Sequence, residues 1–334
     1  VLYGLLADLP DAQSETIETD TPILCAMQEK IDALNAKYGP RFVLIWRKRR
    51  YNAADGVWMA YERKRGAIGA VAAFACGHAD PDNTPIIYGL PPERVRKVRY
   101  LVALDADTAP EPDAIRTMVG AMLHPLNRAV VASDGASVVS GYGILQPHIS
   151  LDLAAANATL FSRIFAGQGG TDPYCPAGSD ICQTLFGDAI FTGKGILDLA
   201  AMDHVLSEAI PDNRVLSHDL LEGSFLRTGF LAEASLCDGF PSSVRSFFKR
   251  QARWTRGDIQ LIPFLFPKIR GKNGETRPNP LPFTAKYRIG DNIRRAETPA
   301  AIFLAIAGCC IFRNAAGAAA AVCALAALAA PMLI

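Results

Sequence analysis

A strand-forming stretch that ends in two aspartates restricts the folds open to this chain more than any other segment. Residues 100–108 have the sequence YLVALDADT, in which mostly apolar residues lead directly into Asp105 and Asp107. A buried strand of this kind presents both carboxylates at the edge of a sheet, where a hard divalent cation and a phosphate-bearing substrate can meet. Pairs of acidic residues also occur at the ends of strands that have no catalytic role. Other segments of the chain therefore have to show whether this pair is catalytic.

The order of the first predicted elements indicates an α/β fold. Residues 2–8 predict a strand that ends at Asp8, and a helix should follow from Thr21 as N-cap to Gly39. Residues 41–46 predict the next strand. Strand, helix and strand form the unit of a doubly wound sheet, which we expect to be mixed and to carry helices on both faces.

Local signals predict further elements in the middle of the chain. Ser150 can cap a helix that runs to about Phe165, and Ser179 can cap another that runs to about Phe186. Residues 189–195, AIFTGKG, predict a strand that closes on glycines, which allow the backbone to approach a ligand closely.

Residues 47–66 are strongly charged, with the sequences RKRR and ERKR near the two ends of the segment. One interpretation is a solvated basic loop, which the segment by itself favours. The other is a clamp for an anionic diphosphate, which the segment favours if such a ligand lies nearby.

The composition excludes some classes of function. Lys and Arg number 34 and Asp and Glu 33, so no overall field indicates a nucleic-acid partner. The eight cysteines form no CxxC pair and no Cys/His cluster of zinc spacing, and we expect buried thiols in a reducing compartment. No Gly-rich phosphate loop occurs, which disfavours a kinase.

Beyond a predicted α/β domain at residues 1–258, the composition changes in two steps. Residues 259–298 are amphipathic and basic, and we expect an interfacial segment on the cytoplasmic side of a membrane. Residues 299–334 are almost entirely apolar apart from an interruption at Arg313, which predicts transmembrane helices. The alternative is a buried, Ala-rich helical hairpin.

Sugar transfer from a nucleotide diphosphate needs a metal ion at the leaving group, a base for the acceptor hydroxyl and a pocket that excludes water. Asp105 and Asp107 are the candidates for holding this metal ion. Asp219, in the sequence SHDLLEG, is the best candidate for the base, because a carboxylate at a helix start can point into a cleft and stay ionised there. An ordinary N-cap is an equal alternative for Asp219, and His218 is a second candidate for the base.

A basic and aromatic helix adds the third element of such a site. Ser242 is its predicted N-cap, and residues 250–258 have the sequence RQARWTRGD. A helix places Arg250, Arg253 and Trp254 on one face, which offers cations to a diphosphate and an aromatic plane to a sugar. A surface arginine face packed by a tryptophan is the alternative, and the two acid sites favour the binding role.

Taken together, these motifs resemble a known family. DAD, FTGKG, SHDLLEG and RQARWTRGD resemble the inverting, processive family 2 type of glycosyltransferase, such as cellulose and hyaluronan synthases. WMAYERKRG, LDADT, HPLNR, GYGILQPHIS, LFGDAIFTGKGI, LSHDLLEG and RWTRGD are more closely similar to the transferase domain of cyclic β-1,2-glucan synthases, glycosyltransferase family 84. The likeness covers residues 2–334.

The resemblance implies a GT-A-like fold and a donor site. It implies that Asp8 contacts the uridine and that Lys64 and Arg65 lie near the nucleotide. Asp105 and Asp107 would hold UDP and Mg²⁺ or Mn²⁺, with Asp107 as the more direct metal ligand.

The resemblance also implies the catalytic and acceptor residues. Asp219 becomes the catalytic base, and Arg253 and Trp254 end a QxxRW element that binds diphosphate and acceptor. Arg250 stands where the broader family has Gln, and Gln251 comes one place late, a departure that suits the family 84 likeness.

Three functions follow as hypotheses. The first is a metal-dependent, inverting glucosyltransferase that uses UDP-glucose to elongate a β-1,2-glucan at the cytoplasmic face of the bacterial inner membrane. We expect it to be one part of a larger multi-pass synthase chain, with its first strand upstream of Val1. The second is another processive β-glycan synthase, and the third is a non-catalytic membrane module that binds nucleotide or glucan.

Overall fold

Two β-sheets with helices packed around them form the body of the protein, so the predicted mixed α/β class is confirmed. The computed structural model describes residues 1–53, 55–78, 80–166, 180–215, 219–272, 274–312 and 315–333.

The strands follow one another in short segments. They are β1 (Tyr3–Leu6), β2 (Phe42–Trp46), β3 (Arg50–Asn52), β4 (Val57–Met59), β5 (Ile86–Tyr88), β6 (Tyr100–Ala103), β7 (Thr108–Pro110), β8 (Val130–Val131), β9 (Val138–Ser140), β10 (Ile144–Leu151), β11 (Gly195–Asp198), β12 (Thr228–Asp238), β13 (Lys268–Arg270) and β14 (Thr276–Pro278).

The helices lie between these strands and after them. They are α1 (Asp20–Tyr38), α2 (Arg63–Cys76), α3 (Pro92–Val95), α4 (Ala114–Leu123), α5 (Leu153–Asn157), α6 (Leu160–Phe165), α7 (Ile181–Phe186), α8 (Leu199–Leu206), α9 (Asp219–Leu226), α10 (Val244–Gln260), α11 (Phe283–Phe312) and α12 (Ala315–Leu333). Short 3-10 helices lie at Pro81–Asn83, Pro125–Asn127 and Ile262–Leu265.

The smaller sheet has the strand order β1-β2-β5. β1 and β2 are parallel and are connected by α1, which is the predicted strand, helix and strand unit. Asn35 of α1 fixes this unit, because its side chain accepts hydrogen bonds from the backbone N–H groups of Arg41 and Phe42. The helix begins two residues earlier than predicted, with Thr19 rather than Thr21 at the N-cap position.

The larger sheet has the order β6-β11-β10-β12-β7 and carries the candidate site. β10 and β12 are parallel, and the other neighbours in the sheet are antiparallel. The mixed pairing is therefore confirmed, although the strands divide between two sheets. α4 packs on this sheet through Met118 and Met122, which are buried because apolar residues recur at helical spacing on one face.

Two sequence predictions in the middle of the chain are wrong. Ser150 lies inside β10, and the helix predicted from there is two short helices, α5 and α6, because Asp152 and Thr159 each cap a new start. Residues 189–195 form no strand. The strand begins only at Gly195, because the positive φ of 87° at Gly193 interrupts an extended backbone before that point.

Two predicted helix caps shift by one residue. Ser243 rather than Ser242 caps α10, and its side chain accepts a hydrogen bond from the Ser246 backbone N–H. Ser179 lies outside the described residues, and Asp180 is the N-cap of α7.

The basic segment 47–66 is not a solvated loop throughout. Arg47 is buried against Asp8, and Arg49 is buried against Asp20, with nitrogen to oxygen distances of 2.5 and 2.6 Å. The segment folds into the β3–β4 hairpin and the start of α2, because these pairs anchor it to the smaller sheet and to α1.

The C-terminal part consists of a small hairpin, β13 and β14, and two long helices. Leu281, Ala285 and Ile289 join the main hydrophobic core, and Arg288 on the same turns of α11 binds Asp188 at 2.9 Å. α11 contains Pro299 and packs against α12. Among the helices of the described segments, none combines the length and the apolar character that crossing a bilayer requires, so the predicted transmembrane helices are not confirmed.

Candidate active site

The register of the larger sheet brings distant parts of the chain to one edge. Ala103 of β6 lies opposite Gly195 of β11, so the residues that follow β6 are next to the residues that precede β11. Asp238, at the end of β12, lies opposite Thr108. Asp105 is therefore close to Lys194, and both lie near the end of β12.

Two lysines compensate the charge of Asp105. The Nζ atom of Lys64 lies 2.5 Å from Asp105 Oδ1, and the Nζ atom of Lys194 lies 3.3 Å from Oδ2. Burial disfavours the ionised form of Asp105, but Lys64 and then Lys194 outweigh it, so the pKa of this carboxyl lies below its ordinary value. Asp105 is thus a stable carboxylate in a basic environment.

Lys194 connects Asp105 to a second carboxylate. Its ammonium group also donates a hydrogen bond to Asp238 Oδ2, and Thr108 Oγ1 donates to Asp238 Oδ1 at 2.5 Å. Burial lowers the pKa of Lys194, but the hydrogen bond to Asp238 outweighs this effect and raises the pKa above its ordinary value. The lysine therefore stays charged although it is buried.

Asp219, in the first turn of α9, packs against Gly193. A Cβ atom on Gly193 would lie 2.8 Å from Asp219 Oδ2, so any larger residue would have to displace this carboxylate, and the φ of 87° also favours glycine. The Gly193 carbonyl accepts a hydrogen bond from Lys64 Nζ at 2.8 Å. Asp105, Lys64 and Asp219 are therefore brought together around one glycine.

Burial, rather than the helix start that was expected to keep the carboxylate ionised, has the largest effect on the pKa of Asp219. Burial raises the pKa of the Asp219 carboxyl above its ordinary value, and nearby Lys64 opposes this rise while Asp105 adds to it. Such a carboxylate accepts a proton more readily than an exposed aspartate does. Residues 216–218 lie outside the described part of the chain, so the N-cap alternative and the His218 hypothesis stay untested.

α10 brings a cation and an aromatic ring to the same region. The guanidinium carbon of Arg250 lies 4.9 Å from the centre of the Trp254 ring and 5.6 Å from that of Phe240. Burial lowers the pKa of Arg250, and the negative charges of Asp107 and Asp238 oppose this. Within the described part of the chain, Arg250 Nε is buried without a hydrogen-bond partner, which leaves a donor beside the two acids.

Arg253 is exposed on α10, and its charge is among those that act on the Asp219 carboxyl. Trp254 is half-buried beside Arg250. Asp105 and Asp219 thus both lie beside Lys64 and Gly193, and α10 brings Arg250 near Asp107 and Asp238. The role of each of these side chains toward a substrate stays a prediction.

Two other predicted site residues are engaged in ion pairs. Asp8 accepts hydrogen bonds from Arg47 Nε at 3.1 Å and from its backbone N–H at 3.0 Å. Arg65 pairs with Glu62 at 3.1 Å and with Glu222 at 3.5 Å. Their predicted contacts with uridine and nucleotide stay predictions.

The carboxylates of Asp107 and Asp105 at the sheet edge are the candidate ligands of a divalent cation. Asp107 is exposed, and none of the ion pairs found among the described residues involves its carboxylate. Those residues also contain no group of three or more His, Cys, Asp or Glu side chains that could hold a metal ion. Mg²⁺ is commonly held by one or two carboxylates together with substrate phosphates and water, and Asp107 and Asp105 can supply that number.

Sequence reasoning missed three charged residues of this region. Lys194 stands between two glycines in FTGKG, and a lysine at a position of close backbone approach is a signal of anion binding. Glu222 is a charged residue flanked by apolar residues in a short helix, which is a second usable signal. Asp238 carries no local signal, because its partner Lys194 is 44 residues away.

Comparison with known proteins gives one informative match. No protein-family model matches the chain. The cyclic β-(1,2)-glucan synthase NdvB of Rhizobium meliloti (strain 1021) is 38% identical over 308 residues, which cover 90% of this chain and 10% of that protein. The chain therefore spans about a tenth of the length of this relative.

Proposed function

Because the chain is related to cyclic β-glucan synthases, as its motifs predict, we propose that it is the glucosyl-transferring part of such a synthase. In this proposal it transfers glucose from UDP-glucose to the 2-hydroxyl group of a growing β-glucan, with inversion at the anomeric carbon. The observation that carries the proposal is the arrangement of Asp105, Lys64 and Asp219 around Gly193.

The basic side chains account for donor binding. A diphosphate that enters beside Asp105 meets the ammonium groups of Lys64 and Lys194 and the guanidinium of Arg250. Lys64 is about two-fifths exposed, so its ammonium can move from Asp105 to a phosphate oxygen. These cations stabilise the negative charge that develops on the leaving UDP.

Asp219 accounts for activation of the acceptor. The acceptor hydroxyl gives its proton to the Asp219 carboxylate while its oxygen forms the new bond to the anomeric carbon, and the bond to UDP breaks. The environment that raises the pKa of Asp219 makes it a stronger base than an exposed aspartate. Trp254 offers a flat apolar face to an acceptor sugar, and Arg253 adds a hydrogen-bond donor at its edge.

A divalent ion, Mg²⁺ or Mn²⁺, would be held by Asp107 together with Asp105. When bound, such an ion neutralises charge on the diphosphate and orients it. The chain's own contribution is to keep Asp105 ionised, through Lys64 and Lys194.

We also propose the cytoplasmic face of the bacterial inner membrane as the location. Several large apolar side chains of α11 are exposed, with Phe283 81% and Phe303 70% accessible, and a lipid surface would cover them. Contact between the chain and a bilayer can be checked by co-sedimentation with vesicles that contain anionic lipids.

The proposed reaction is tested by incubating the chain, and membranes that carry the full-length gene product, with labelled UDP-glucose, Mg²⁺ and a glucan acceptor. We expect release of UDP and incorporation of label into a polymer whose linkage analysis shows 2-substituted glucose. A 3- or 4-linked product would show that the proposed transfer to the 2-hydroxyl group is wrong. Glucan binding without UDP release would mean that the chain is a non-catalytic module.

A further inference from the structure

Three buried charged side chains lie beside the candidate active site and take no part in the transfer described above. Arg65 has 11% of its side chain exposed, Glu62 9% and Glu222 5%. Arg65 Nη1 lies 3.1 Å from Glu62 Oε1, and Arg65 Nε lies 3.5 Å from Glu222 Oε1. We call these three residues the Glu62–Arg65–Glu222 bridge.

The bridge joins two helices at their first turns. Glu62 is the N-cap residue of α2, and Glu222 lies in the first turn of α9. Glu62 Oε1 also accepts a hydrogen bond from the backbone N–H of Asn213 at 3.2 Å. The start of α2 is thus tied both to α9 and to the segment that leads toward it.

The backbone at the start of α2 has a conformation that needs such support. Glu62 and Arg63 have φ angles of 60° and 48°, a region that residues with a side chain rarely adopt. A Cβ atom on nearby Gly66 would lie 2.0 Å from the Tyr61 carbonyl oxygen, so the turn is also tightly packed. Strained backbone persists only where the surrounding contacts determine it, and it is often found next to functional sites.

The two helices that the bridge joins also carry residues of the candidate site. Lys64 lies between Glu62 and Arg65 in the sequence, and Asp219 precedes Glu222 by one helical turn. A change in the separation of α2 and α9 would therefore move Lys64 relative to Asp219.

The three side chains of the bridge have no net charge when one of the two carboxyls keeps a proton. Burial raises the pKa of Glu222 to about 8, with Arg65 and Lys64 opposing the rise and Asp219 and Glu62 adding to it. Burial also raises the pKa of Glu62. Near pH 7 the bridge thus places no net negative charge beside Asp219.

We propose that Arg65 is a positioning residue that holds α2 against α9, so that Lys64 and Asp219 act on one donor and acceptor pair. In this role its guanidinium binds Glu62 and Glu222 rather than the nucleotide. The kinetic part of this inference rests on the proposed function, whereas the structural part, the joining of two helices, does not.

The test compares variants of the intact chain. Because a displacement of about 1 Å can cost up to about 100-fold in rate, Arg65→Met is expected to lower kcat roughly 10- to 100-fold. The KM for UDP-glucose and the affinity for UDP, measured by calorimetry, should stay within about twofold, since no nucleotide contact is lost. Glu222→Gln, which keeps the shape of the neutral carboxyl, should remain close to the parental kcat at pH 7.

A matched control removes an exposed arginine whose ion pair is not part of the bridge. Arg294 pairs with Asp291 at 2.8 Å and has 67% of its side chain exposed, so Arg294→Met should leave all these parameters unchanged. If Arg65→Met does not fold, Arg65→Lys takes its place and should show a smaller loss of the same kind. An unchanged kcat with weaker UDP binding would overturn the proposal and assign Arg65 to the nucleotide.

A second measurement separates this inference from the proposed function. If the parental chain transfers no glucose, the proposed function is wrong, and the bridge is then judged by backbone hydrogen exchange alone. Peptides that cover α2 and α9 should exchange faster together in Arg65→Met and not in Arg294→Met. Exchange that is unchanged in both peptides would show that Arg65 does not join these helices.

Discussion

Two ion pairs of equal length serve different purposes in this molecule. Arg47 and Asp8 lie 2.5 Å apart next to the smaller sheet, and Lys64 and Asp105 lie 2.5 Å apart at the edge of the larger one. The side chains of the first pair are 2% and 15% exposed, whereas those of the second are 38% and 40% exposed.

The partners of each cation explain the difference. Arg47 also donates hydrogen bonds to Asn83 and to the backbone carbonyls of Tyr61 and Arg63, so its planar guanidinium is held in a fixed orientation. Lys64 carries a compact charge on a flexible stem and can exchange one oxygen partner for another. The first pair therefore stabilises the fold, and the second can respond to a ligand.

The largest expected effect is on catalysis at the edge of the larger sheet. Asp219→Asn removes the proposed base and should lower the rate of glucose transfer by about 100- to 10,000-fold, the contribution usual for a general base. UDP affinity should remain parental and the melting temperature should not fall, and Asp291→Asn on α11 serves as the control. Parental turnover in Asp219→Asn would show that another group takes the proton.

The next largest effect is on stability next to the smaller sheet. Arg47→Met leaves the mostly buried Asp8 without its cation, and loss of one partner of a buried pair costs about 3–5 kcal/mol of unfolding free energy. Chemical denaturation measures this change. A loss below about 1 kcal/mol, as is usual for an exposed pair, would remove the distinction between the two pairs.

Lys64→Met tests the second ion pair of the comparison, the one that Lys64 forms with Asp105. Because its pair with Asp105 is exposed, the free energy of unfolding should fall by no more than about 1 kcal/mol. The rate of transfer should fall roughly 100-fold, since a cation that stabilises the leaving group is lost. Denaturation and turnover are measured on the same preparation, and a large loss of stability with unchanged turnover would reverse the assignment.

The smallest effect is a difference in pH dependence at Glu222. The pKa of this group is raised from its ordinary 4.5 to about 8 in the fold, so the folded state keeps a proton that the unfolded state loses. The associated stability is present below about pH 4.5 and is lost as the pH rises to about 8. Glu222→Gln should lack this loss. The melting temperature of this variant minus that of the parental chain should therefore be larger at pH 9 than at pH 5, by about 2–4 °C for each kcal/mol of lost stability. Parallel melting curves across this range would contradict the assignment.

The local parts of the candidate site could be predicted from the sequence. The strand before Asp105, the helix that starts at Asp219 and the helix that carries Trp254 each depend on neighbouring residues, so patterns of apolar residues and caps indicate them. The strand predicted over residues 189–195 was wrong, because the same glycines that suggested a ligand site also prevent an extended backbone there.

The contacts between these elements could not be predicted in the same way. Lys194 and Asp238 pair only because β11 and β12 flank β10 in one sheet, and no local pattern encodes that order. The basic segment 47–66 shows the same limit. Its charges suggest solvation, yet Arg49 is buried because Asp20 of α1 lies opposite it.

By itself, the sequence determined the α/β class, the acidic strand end, the family relationship and the helices that carry the candidate residues, because all of these follow from residues that are close together in the chain. Only the tertiary structure decided which charges are structural and which are available. That property depends on how many partners surround a side chain and how much water reaches it, and both are set by the packing of distant segments. Arg47 and Lys64 are similar in sequence context, and the fold alone makes one a fixed anchor and the other an exposed cation.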